Sequence, residues 1–245
     1  MKREYWIIMI VYIGMQFSSL LGIPLLTGVG EALGKNKASW VIASVSYWLL
    51  FSFSVATIII LFLLRKEMRQ SKDDRSGLSK QKSFYWAIAG VFLALISQSF
   101  AASIESMLGI KMGSENTRQI IKIIEAFPLV MIVSSVLGPI LEEIVFRKII
   151  FGSLYKRFNF FLSGLISSII FAIAHQELEH TLLYSAMGFT FAFLYVKTKR
   201  IWVPMFAHVA MNTLVVLIQS VYKDEIEKMI QDSEKIQGFI SLFIS

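Results

Sequence analysis

Residues 126–151 read AFPLVMIVSSVLGPILEEIVFRKIIF, a 26-residue apolar run broken by two adjacent carboxylates, Glu142 and Glu143, and by Arg147 and Lys148. About 20 predominantly apolar residues suffice for a helix to cross a bilayer. An ionisable group within such a helix is costly, so each one requires a partner, a wet cavity or a function. On an α-helix Glu143 and Arg147, four apart, share a face, while Glu142 is rotated from Glu143 by about 100°. The spacing therefore predicts a Glu143–Arg147 pair and leaves Glu142 to face something else. A buried ion pair that fixes helix packing accounts for one carboxylate, but not for the second. The Gly138-Pro139 step one turn before Glu142 is read as a kink that opens this helix.

The rest of the chain follows the same pattern. It is 56% hydrophobic and 17% charged, with mean hydropathy +0.64, richer in apolar and poorer in charged residues than a soluble domain. Apolar spans are drawn at about 5–26, 40–64, 84–104, 126–151, 160–175, 181–196 and 201–222. The fold class is thus all-α, a polytopic bundle of about seven transmembrane helices, with an eighth partial span near 236–244 as an option. Residues 105–125 are mixed enough to form an amphipathic helix along the interface, and 223–245 offer the same choice. Lys2 and Arg3 precede an apolar stretch too long for a signal-peptide core, so the first span is expected to be retained. The charged loop 68–81 reads as a tether between the first two helices and the rest.

The basic residues fix an orientation. With the N-terminus inside, inner segments carry 15 Lys and Arg and outer segments carry 8, Arg147 being counted as intramembrane. That asymmetry favours a cytoplasmic N-terminus and an outer C-terminus. The net charge of +7 lies between apolar segments rather than on one basic surface, so it marks topology and no nucleic-acid partner is expected. Lipid is the expected surrounding.

Within the spans, the other titratable groups are His175 and His208. If the turn after the 126–151 span lies near Phe158, Glu142 stands 16 residues before it and His175 stands 17 after it. In an antiparallel hairpin both then lie about 24 Å from the turn at about 1.5 Å per residue, and they can meet. His208 and Asn212 share a helix face and both can donate hydrogen bonds, as a developing oxyanion requires. Taken alone, an intramembrane histidine is as readily an interhelical hydrogen-bond former. His180, beside Glu177 and Glu179, is read as an outer-loop residue.

The absent residues narrow the chemistry. Without cysteine there is no disulfide, thiolate nucleophile or Cys-ligated zinc. No His-Glu-x-x-His helix, intramembrane Asp pair or Gly-x-Ser-x-Gly turn is present. A water activated by carboxylate and histidine remains, with or without a metal.

Three motifs now coincide. Glu142-Glu143-Ile-Val-Phe-Arg147, Phe171-Ala-Ile-Ala-His175 and His208-Val-Ala-Met-Asn212 resemble the Glu-Glu-x-x-x-Arg, Phe-x-x-x-His and His-x-x-x-Asn motifs of the CAAX-protease and bacteriocin-processing family, also called CPBP or Abi. The resemblance spans about residues 129–217. It implies an intramembrane endopeptidase in the group that includes the type II CAAX prenyl proteases. On that resemblance Glu142 is the general base, His175 helps to hold the water, His208 and Asn212 form the oxyanion site, and Glu143 and Arg147 support the geometry. No cofactor is expected, with zinc left open because the family was long classed with metalloproteases. Some relatives cut prenylated CAAX tails and others process bacteriocins or signalling peptides, so the expected partner is a membrane-associated peptide or protein tail. The Lys- and Ile-rich composition points to a bacterial cytoplasmic membrane. Residues 1–125 are assigned to N-terminal helices and the charged loop, 126–222 to the catalytic bundle and 223–245 to a tail. The rival reading is a catalytically silent scaffold or immunity protein that binds a partner through the same bundle.

Overall fold

The computed structural model describes residues 2–73, 77–111 and 113–223, together with 225, 226, 228, 229 and 232. The described residues form helices and connecting turns, with no strand among them. In chain order these are α1 (Arg3–Ala32), α2 (Lys37–Asp73), α3 (Lys80–Met107), α4 (Glu115–Ala126), a long interrupted helix α5 over residues 130–154, α6 (Phe160–Ala174), α7 (Thr181–Thr198) and α8 (Trp202–Val221). Among the described residues four regions are long and apolar enough to cross a bilayer on their own, namely Arg3–Ala32, Lys37–Glu67, Lys80–Met107 and Trp202–Val221, and Phe160–Ala174 is a shorter apolar helix. This is a multi-pass membrane protein.

The helices overrun the apolar spans. α1 continues to Ala32 and α2 to Asp73, because backbone hydrogen bonds extend a helix past the last apolar residue into the polar boundary, where hydropathy no longer registers it. The 105–125 stretch divides. Glu105 closes the last turn of α3, and α4 begins only after Ser114, whose hydroxyl accepts from the Thr117 N–H at 3.0 Å as an N-cap. The α4 helix buries Ile121, packs Ile124 against Val130 and Val216, and keeps a polar outer face, so it is amphipathic as expected. The option of a span near 236–244 lies outside the described residues, as do residues 74–76 of the charged loop.

A second, larger apolar core runs through the bundle. Tyr5, Ile8, Tyr12 and Met15 of α1 join Leu141, Ile144, Val145 and Ile149 of α5, Phe171 of α6, Phe191 and Leu194 of α7, and Ala207 and Met211 of α8. Small residues permit close helix approach. A Cβ added at Gly188 of α7 would collide with the Ser168 side chain of α6 and lie 3.2 Å from its Cα.

Polar cross-links gather at the two ends of the bundle. At one end Glu67 accepts from the Tyr5 hydroxyl at 2.8 Å and pairs with Lys148 at 3.1 Å and Lys2 at 3.5 Å. Nearby, Arg200 Nε donates to the Leu78 carbonyl at 2.9 Å, so the loop after α2 is bonded to the α7–α8 turn and is more than the tether expected. At the other end Glu105 pairs with His180, Glu177 binds the start of α4, and Lys223 reaches Glu125 at 2.9 Å.

Candidate active site

The helix that carries Glu142 changes register twice. α5 consists of Val130–Ile132 in α form, Val133–Leu137 in π form, Gly138–Glu142 in α form, Glu143–Phe151 in π form and Gly152–Leu154 in α form. Pro139 supplies a cause for the first change. A proline in an α-helix clashes with the carbonyl four residues back, here Ser135, and lacks an N–H. Wider i→i+5 turns ease that clash, and the Gly138 N–H bonds the Val133 carbonyl in this way. The kink expected at Gly138-Pro139 is therefore a π turn. In the same register Pro139 cannot donate to the Ser134 carbonyl. Asn212 Nδ2 of α8 approaches that carbonyl at 3.5 Å, a long bond that orients the amide.

Glu143 is fully buried and faces two cations or donors. Its Oε2 lies 3.5 Å from Arg147 Nε, and its Oε1 lies 3.0 Å from His208 Nδ1. Arg147, 1% exposed, makes this ion pair without hydrogen-bond geometry to any of its nitrogens. Its planar face is instead covered by aromatic rings, with Phe171 at 4.2 Å and Phe191 at 5.3 Å from the guanidinium carbon. Phe191 also stacks on the His208 ring at 4.6 Å and 21°. One phenyl ring thus serves both groups that flank Glu143.

Glu142 is more open, its side chain 17% exposed, and its Oε2 stands 3.7 Å from His208 Nε2. His208 therefore lies between the two carboxylates. A carboxylate can only accept, so Nδ1 donates to Glu143 and Nε2 is the nitrogen turned to Glu142.

His175 occupies the C-cap of α6. Its Nδ1 donates to the Phe171 carbonyl at 2.8 Å, which fixes the tautomer and leaves Nε2 as acceptor. Among the described residues no hydrogen bond or ion pair joins His175 to Glu142. Tyr184 is linked to both: its ring stacks on the imidazole at 4.2 Å and 30°, and it feels the charge of Glu142. From α1, Tyr12 packs edge-on to Phe146 at 5.9 Å and feels the charges of Glu142 and Arg147. Among the described residues no three His, Cys, Asp or Glu side chains are grouped as metal ligands.

Several residues of this region belong to none of the three motifs. His180, read as an outer-loop residue, sits in a 3-10 turn but is buried, with Nδ1 2.8 Å from Glu105 Oε2. The other oxygen of Glu105 accepts the Leu183 N–H at 2.9 Å. The loop position holds, and the α3 carboxylate draws the imidazole inward. Glu177 accepts from the Ser114 hydroxyl at 2.8 Å, the Asn116 N–H at 2.8 Å and the Tyr184 hydroxyl at 2.6 Å. Burial raises its pKa, yet these donors and His180 together bring it below the ordinary carboxylate value. Glu177, Glu179 and His180, three ionisable residues within four positions, are the hint the sequence offers.

An interior Glu-Glu-Arg-His cluster thus lies within a multi-pass helical bundle, and comparison with known proteins places the chain in the class of membrane proteases. Residues 124–214 match the family model described as type II CAAX prenyl endopeptidase Rce1-like. The chain is 52% identical over 224 residues to the putative membrane peptidase YdiL of Bacillus subtilis (strain 168), covering 89% of this chain and 90% of that one. It is 31% identical over 238 residues to the membrane-embedded CAAX protease MroQ of Staphylococcus aureus (strain USA300), covering 93% of each. No solved structure matches. The chain belongs to the Rce1-like family of CAAX-type membrane proteases.

Proposed function

We propose that the protein hydrolyses peptide bonds of short membrane-associated peptides or protein tails, with a water activated by Glu142 and His175. The observation that carries this reading is the place of His208, 3.0 Å from the buried Glu143 and 3.7 Å from the more open Glu142. One carboxylate holds the imidazole and the other is left for chemistry.

Glu142 takes a proton from water as the water oxygen bonds to the scissile carbonyl carbon. His175 Nε2, left as acceptor by the Phe171 bond, holds the second water hydrogen. The carbonyl oxygen becomes an oxyanion and accepts from His208 Nε2 and Asn212 Nδ2. Donation from His208 requires a proton on Nε2, and with it the charges of Glu142, Glu143, Arg147 and His208 cancel, the arrangement a low-dielectric interior favours. On collapse the C–N bond breaks and the proton on Glu142 passes to the leaving amine.

In this reading residues 126–222 carry the chemistry and 1–125 form its wall. The relatives are bacterial membrane peptidases by name, which supports a bacterial cytoplasmic membrane as the location. Mass spectrometry of membrane peptides from cells that hold the wild-type protein or Glu142→Gln tests the proposal. A peptide that accumulates intact only with Glu142→Gln is expected; identical peptide profiles would overturn the reading.

A further inference from the structure

His175 is the first residue beyond α6, a place where a helix end frays unless something holds it. The next residue, Gln176, has φ 59°, a left-handed backbone conformation that side chains other than Gly and Asn rarely adopt and that persists only when its surroundings enforce it. The enforcing bonds come from the residues around it. Tyr184 of α7 stacks on the imidazole, its ring centroid 4.2 Å away. The Tyr184 hydroxyl donates to Glu177 Oε2 at 2.6 Å. The same oxygen accepts from the Ser114 hydroxyl, and Oε1 accepts from the Asn116 N–H, each at 2.8 Å. Ser114 is also the N-cap of α4. A continuous set of contacts thus runs from the first turn of the interfacial helix through Glu177 and Tyr184 to the His175 ring.

We infer that Tyr184 and Glu177 are positioning residues for His175, and that the start of α4 is part of the support of the catalytic site. The inference rests on the reading of His175 as a member of the catalytic set. Tyr184 fixes the plane of the imidazole, and Nδ1 is already held by the Phe171 carbonyl, so the direction of Nε2 follows from the two together. Glu177 fixes the phenol in turn. Loss of the α4 contact leaves the stack in place without its anchor and lets the His175 ring wander about the Phe171 bond.

The chain has three histidines, so selective isotope labelling of histidine in the full-length protein in detergent micelles gives one set of ring signals each for His175, His180 and His208. In Tyr184→Leu the His175 signals shift, because the ring current of the stacked phenol is removed. In Tyr184→Phe and in Glu177→Ala they shift less or broaden, since the ring remains but its anchor is gone. His208 signals stay in place throughout and report that the bundle is folded. Turnover of the peptide that accumulates with Glu142→Gln is measured alongside. Glu177→Ala should lower kcat by roughly tenfold, a fraction of what a positioned acid–base group contributes, and should leave KM within about twofold. Tyr184→Phe should lie between Glu177→Ala and wild type. His175 signals unmoved by Glu177→Ala, with His208 signals native, would overturn the inference. Shifted signals with unchanged kcat, in a protein that Glu142→Gln inactivates, would also overturn it, because His175 would then lie outside the reaction while Glu142 stayed within it.

Discussion

His208 Nδ1 lies 3.0 Å from Glu143 Oε1, so the imidazole on α8 is hydrogen-bonded to the buried carboxylate, while the open one stands 3.7 Å from its Nε2. That contact joins residues 65 positions apart and distinguishes the paired glutamates. Glu143 is enclosed by Arg147 and His208, while Glu142 keeps a face free.

Arg147→Ala should be strongly destabilising, because it leaves Glu143 buried beside a single imidazole. Breaking a buried ion pair from one side costs about 3–5 kcal/mol, and the rings of Phe171 and Phe191 lose the cation they cover. Thermal unfolding in detergent should show a large drop for Arg147→Ala and a smaller loss per substitution for Glu143→Leu with Arg147→Met together. Equal melting of Arg147→Ala and wild type would remove the pair from the stability of the fold.

Gly188→Ala should destabilise the α6–α7 contact by about 1–3 kcal/mol. The added methyl meets the Ser168 side chain and lies 3.2 Å from its Cα, so relief requires the helices to move apart. Gly188→Ala combined with Ser168→Gly should recover part of the loss. Unfolding temperatures of the single and double variants check this.

Glu177 gives the fold a dependence on acid pH. Burial alone raises its pKa, but the Asn116 N–H, the hydroxyls of Tyr184 and Ser114, and His180 lower it overall. Its folded value is below its unfolded value, so the stabilisation is full above the ordinary carboxylate range and is lost as pH falls through the folded value. The difference in melting temperature between wild type and Glu177→Gln should be largest near neutral pH and narrow as pH falls through the ordinary carboxylate range and below it. A constant gap over that range would show that the carboxylate charge is irrelevant.

Asn212→Ala should be milder than Glu142→Gln. One oxyanion donor is worth about 2.7–4 kcal/mol of barrier, whereas Glu142→Gln removes proton acceptance itself. Kinetics on the accumulated peptide should give roughly a 10²–10³-fold fall in kcat for Asn212→Ala and no measurable turnover for Glu142→Gln. The same assay with a strong chelator separates the two sources of an activated water. Unchanged activity is expected, and inhibition reversed by added zinc would transfer the role to a metal.

The two polar ends of the bundle suit a labelling test of orientation. Since the chain has no cysteine, single cysteines at Lys80 and Lys111 report on opposite ends of α3. In intact cells an impermeant thiol reagent should label position 111 and spare position 80. The opposite result would invert the orientation drawn from the 15 and 8 basic residues.

The helices, the catalytic candidates and their order along the chain are legible in the sequence because each is a local property. A long apolar run must form helix in lipid, since every backbone N–H and C=O needs an internal partner. An ionisable residue within the run stands out by its cost, which is why Glu142, Glu143, Arg147, His175 and His208 are found without a structure. The pairing of Glu143 with Arg147 also follows from a spacing of four. What the tertiary structure alone decided is which helix each group faces. His208 meets Glu143 across 65 residues, Glu105 meets His180 across 75, and Glu177 meets Ser114 across 63. No periodicity encodes such contacts, because they depend on how the helices rotate and cross. The two π segments of α5 add a further reason: each shifts the faces of the helix away from the α-helical phase from which a sequence is read.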